Sequence, residues 1–108
     1  MTVIRCIDFE TTGIPTPEDA HAIVEIGWCD LENGEVGIPD AILCDPGRPI
    51  PHEAMAVHHI TDTMVEGATG GAAALGSPDY FVAHNADYER QFFQTEIPFI
   101  CTWKVSLR

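Results

Sequence analysis

Two short acidic stretches carry the chemistry that this chain could do. The first, CIDFETTG over residues 6–13, ends a mainly apolar run with Asp8 and Glu10. Two positions apart on a strand, their side chains leave the same face. Like charges held side by side against a core are costly unless a metal, a basic side chain or water offsets them. The second stretch, VAHNADYER over residues 82–90, puts Asp87 and Glu89 at a strand-to-helix junction. Acids there are favoured by the helix macrodipole alone. Carboxylates are hard oxygen donors suited to Mg²⁺ or Mn²⁺. No histidine and cysteine grouping has the spacing of a zinc site.

The elements that must position these acids follow from the hydrophobic pattern. Val3 to Phe9 is apolar except for Arg5 and Asp8, as in a largely buried strand. Ala22 to Leu31 reads as a second strand, Asn33-Gly34 as a hairpin turn, and Val36 to Asp45 as a third strand interrupted near Pro39. These three form an antiparallel meander, because so short a turn cannot join parallel strands. A helix is expected from Pro51, and a second short one after Thr61 as cap. GATGGAAALGS reads as a loop or weak helix. Tyr80 to Ala83 is a short strand, followed by a helix over HNADYERQFFQ with Asn85 as N-cap. A last strand covers residues 98–101, and TWKVSLR opens a helix that has no stop signal. The expectation is a single α/β domain over residues 1–108, C-terminally incomplete, with the acids beyond the strand ends.

Composition narrows the classes. At 108 residues the chain is one domain, and 45% apolar content is globular. No stretch is long enough to span a membrane, and MTVIRCIDFE lacks the apolar run of a secretory signal. Cys6, Cys29, Cys44 and Cys101 follow no disulfide-scaffold spacing and read as buried free thiols in a cytoplasmic, reducing setting. Five Lys and Arg against seventeen Asp and Glu give a net charge of −12. That balance argues against a simple module binding phosphates through basic side chains. It leaves open an enzyme that meets phosphates through divalent cations.

Taken together, DFETTG, GRPIPHEAMAVHHIT and VAHNADYER, in that order, resemble the DEDD superfamily of 3′→5′ exonucleases. Within it the chain looks most like the branch that holds exonuclease X and the proofreading epsilon subunits of DNA polymerase III. The resemblance implies a ribonuclease H-like fold, a five-stranded mixed sheet flanked by helices. It also implies two-metal hydrolysis of terminal phosphodiesters with Mg²⁺ or Mn²⁺. The substrate would be DNA, with a single-stranded 3′ end favoured and RNA as a further option, in repair or proofreading. Asp8 and Glu10 match the acids of the family's first motif. The second motif's aspartate falls on Glu89, with Asp87 as the alternative ligand, so Asp8, Glu10 and Glu89 are the implied catalytic and metal-binding set. Thr11, Thr12, Gly13, Val57, His58, Asn85 and Tyr88 match positions near the substrate.

Each of these also has a plain structural reading. TTG alone is a turn, and Tyr88 with Phe92 at i, i+4 makes a helical core stripe. Trp28 and Trp103 read as core, His59 as surface, and Arg48 could touch phosphate. The family's third motif, a histidine or tyrosine with a fourth aspartate, has no match after VAHNADYER. No general base is therefore assigned. The alternative is a catalytically impaired module on the same fold that binds nucleic acid or protein.

Overall fold

The structure is a computed structural model that describes residues 2–106. Its centre is β1 (Val3–Thr11), in which Ile7, Phe9 and Thr11 are buried while Cys6 and Asp8 are exposed. That alternation gives the strand one core face and one open face. β1 runs antiparallel to β2 (Ile23–Glu32), with Asp8 opposite Gly27 and Glu10 opposite Glu25. The register shifts between Glu10 and Thr11, a bulge at the acid-bearing end. Asn33 and Gly34 both take positive φ, 54° and 76°, as a tight hairpin turn of this hand requires.

The third expected strand is split. β3 (Glu35–Val36) and β4 (Asp40–Leu43) both pair with β2, with Pro39 in the gap. Proline has no N–H for the ladder, so the edge breaks there. Six strands thus fill five positions in place of the five strands expected. Parallel strands complete the sheet: β5 (Tyr80–Ala83) beside β1, and β6 (Phe99–Cys101) beside β5, in the order β3-β2-β1-β5-β6.

Helices α1 (His52–His58) and α2 (Asp62–Val65) fall where the sequence places them. The Gly/Ala-rich stretch forms a 3₁₀ turn over Ala72–Leu75. The helix expected over HNADYERQFFQ is only α3 (Ala86–Glu89). Beyond it Phe92 and Phe93 both pack on the core, edge-on to Phe9 at 6.2 and 5.8 Å. The regular helix ends before the two phenylalanines that seat this segment on the core. The main core comprises Ile7, Phe9, Ile26, Cys44, Leu75, Phe81, Ala83 and Ala86; Val24, Ile50, Ile60 and Val65 form a second cluster that seats α1 and α2. Each buried Val, Leu, Ile or Phe among them contributes about 1.5–3 kcal/mol.

Two expectations are corrected. Trp28 packs on the core, but Trp103, in α4 (Thr102–Ser106), is 46% exposed. Of the cysteines only Cys44 is buried; all four thiols are free, and Cys6 lies on the open sheet face. Among the described residues no helix is long and apolar enough to cross a membrane.

Candidate active site

β1 and α3 bring three acids to the same end of the sheet. Asp8 is exposed and Glu10 half-buried on the open face of β1, while Glu89, the last residue of α3, is 4% exposed. Desolvation, then the charge on Asp8, pushes the Glu89 carboxyl up to about 7. The same two causes raise Glu10, with Glu25 adding to the repulsion and His58 opposing it. Each shift is the response of a carboxylate that loses water and gains like-charged neighbours.

Glu89 is the unusual member. Its Oε2 is buried without a hydrogen-bond partner, a condition that buried polar atoms rarely tolerate. An orphaned carboxylate oxygen beside a second acid fits a cation, and the donor set is all hard oxygen. Among the described residues, however, no three His, Cys, Asp or Glu side chains converge closely enough to hold one ion. The acids approach one another without forming a finished cage.

Asp87 stands apart from this group. It is exposed and pairs with Lys104 at 2.9 Å; that hydrogen bond and charge hold its carboxyl below the usual range. The charges that raise Glu10 and Glu89 include Asp8 but not Asp87. The extra methylene of Glu89 therefore comes with the inward position, and the shorter Asp87 faces out.

The residues matched to substrate contacts divide into two groups. Thr11, Thr12, Gly13 and His58 are tied up in the scaffold. The Thr11 hydroxyl shares hydrogen bonds with the Tyr88 hydroxyl and with the carbonyl of Gly13, the latter at 2.9 Å. Burial pushes the Tyr88 hydroxyl up, which keeps it protonated. His58 Nδ1 accepts from the Ile60 N–H at 3.0 Å, which leaves Nε2 to donate to the Thr11 carbonyl at 3.1 Å. Thr12 is 1% exposed and its hydroxyl accepts from the Ala22 N–H at 3.0 Å. By contrast Val57 and Asn85 are exposed, and Asn85 occupies the N-cap of α3 without a side-chain cap bond.

Sequence reasoning missed the partners of this turn. His21 Nδ1 meets the Thr12 hydroxyl at 2.9 Å, and the His21 ring lies where a Cβ on Gly13 would fall, at 2.5–2.9 Å. Gly13 is therefore required by a packed imidazole. Asp19 joins His21 to Arg48, whose guanidinium holds both carboxylate oxygens at 2.5 and 2.9 Å. Arg48, which could touch phosphate on sequence grounds, pairs with Asp19. His21 itself has φ 52°, a backbone state that no spacing in the sequence signals. Glu25 was also missed; alternation on β2 would have put it on the open face.

The exonuclease family model, of the RNase T type, matches residues 6–76. Exodeoxyribonuclease 10 of Escherichia coli K12 is 37% identical over 98% of this chain and 48% of its own length. The DNA polymerase III epsilon subunit of Treponema pallidum is 30% identical over 83% of this chain and 44% of its own. Among solved structures, exonuclease X in complex with 5′ overhanging duplex DNA superposes with a TM-score of 0.83 at 34% identity, covering 95% of this chain and 61% of that one. Exonuclease I in complex with an inhibitor reaches 0.75 at 14% identity, a likeness of fold alone. The chain spans about half the length of these two curated relatives.

Proposed function

Because the chain belongs to the exonuclease family, we propose that it carries the acid-bearing part of a metal-dependent 3′→5′ exonuclease that releases mononucleotides from DNA. The observation that carries this reading is the buried, unpartnered Oε2 of Glu89 beside Asp8. Asp8, Glu10 and Glu89 would hold Mg²⁺ or Mn²⁺, in line with a wholly carboxylate donor set. Bound there, two such ions would supply an activated water and positive charge for the leaving oxygen.

The protein's own residues prepare that site. Asp8 and Glu10 leave one face of a strand whose far face is locked in the core. The hydroxyl of Tyr88 and the imidazole of His58 each bond Thr11, the residue after Glu10, so both acids sit on an anchored strand end. Glu89 gains from a cation in proportion to what its burial costs without one. Divalent charge also offsets a net −12 against a polyanionic substrate. A single-stranded 3′ end is the substrate proposed, with DNA preferred over RNA by analogy with the relatives' printed names.

The test is release of mononucleotides from a 3′-labelled oligonucleotide by the full protein with Mn²⁺. Activity lost in Asp8→Ala supports the reading. Equal release, or equal lack of it, in both proteins counts against it.

A further inference from the structure

We propose that Cys6 and Cys29 are a dithiol modification site, which a small disulfide oxidant closes into a cross-strand disulfide beside the acids. In the β1–β2 register the two cysteines are direct partners, so their side chains leave the same face. Opposed residues of an antiparallel pair have Cα atoms about 4.5 or 5.5 Å apart, depending on the type of pair. Both values lie within the roughly 4.4–6.8 Å that a disulfide spans. Both thiols are free, Cys6 is exposed, and the two line one shallow depression of about 290 Å³ that also reaches Asp8.

The pairing is also selective. Cys29 Sγ donates to the Gly37 carbonyl at 3.3 Å, so turning it toward Cys6 costs one weak bond. Cys44 is buried in the main core. Cys101 lies on β6, two strand positions from β1, and its partner Ala83 is buried. At about 4.8 Å per strand that separation exceeds a disulfide's reach.

Closure proceeds by ordinary exchange. One cysteine sulfur attacks the oxidant's S–S bond, forming a mixed disulfide and expelling one thiolate. The second sulfur then attacks the protein-bound sulfur of that mixed disulfide and expels the other. Two protons and two electrons leave the protein, and the oxidant is reduced to two thiols.

The folded full-length protein is treated with glutathione disulfide, then unfolded, alkylated and mapped by mass spectrometry. The proposal expects a loss of two hydrogens, a Cys6–Cys29 cross-linked peptide, and alkylation of Cys44 and Cys101. In parallel, one equivalent of a trivalent arsenical should bind the reduced protein but neither Cys6→Ser nor Cys29→Ser. Glutathione retained on Cys6 with Cys29 still alkylatable would overturn it. So would arsenical uptake unchanged by either substitution.

Discussion

The hydroxyl of Tyr88 hydrogen-bonds the hydroxyl of Thr11, joining α3 to the end of β1 across 77 residues of chain. This bond holds the strand end that carries Glu10 against the helix that carries Glu89. Tyr88→Phe and Thr11→Val should each lower stability by about 1 kcal/mol, the typical net worth of such a bond. If the bond is the shared cause, the double variant should lose less than the two losses added. Denaturant unfolding of all four proteins measures that coupling, and additive losses would show that the two hydroxyls act separately.

Gly13 is held by a neighbour rather than by its own turn. A Cβ there would meet three atoms of the His21 ring at 2.5, 2.8 and 2.9 Å. Gly13→Ala should therefore destabilise by about 1–3 kcal/mol through overpacking. His21→Ala alone should also destabilise, since it removes one of the two hydrogen-bond partners of the Thr12 hydroxyl. Combining the two should restore part of the loss, as read by thermal unfolding. An unrestored double variant would mean that the alanine clashes elsewhere.

The buried acid gives stability a definite pH dependence. Glu89 titrates near 7 in the folded chain, against 4.5 as its ordinary value. Between those values the folded protein holds a proton that the unfolded chain has released, so metal-free stability falls as pH rises from about 4.5 to about 7. Above that window the full penalty of up to about 3 kcal/mol is in place. Glu89→Gln should remove it, raising Tm at pH 8 in chelator and leaving Tm at pH 4.5 nearly unchanged. A Tm at pH 8 that is unmoved or lower would assign the depressed stability to other groups.

Much of this was legible in the sequence because it rests on short-range pattern. The alternation of Ile7, Asp8, Phe9 and Glu10 predicts both the strand and its acid-bearing face, and Asn33-Gly34 predicts the hairpin. What was not legible depends on long-range packing. The helix after Asn85 stops at Glu89, short of Phe92 and Phe93, which both pack on the core. Arg48 turns to Asp19 and Gly13 yields to His21 through loop contacts that leave no periodic trace. The pairing of Asp87 with Lys104, which sets it apart from the other acids, likewise leaves no trace in the local pattern.

Glu89, with Asp8 and Glu10, is proposed to face a divalent cation. Calorimetric titration of the full-length protein with Mn²⁺ tests it most directly, alongside Asp8→Asn, Glu89→Gln and Asp87→Asn. Saturable binding is expected in the parent protein, its loss or a drop of at least about tenfold in affinity in the first two variants, and near-parental binding in Asp87→Asn. Binding that survives Glu89→Gln but is lost in Asp87→Asn would contradict it.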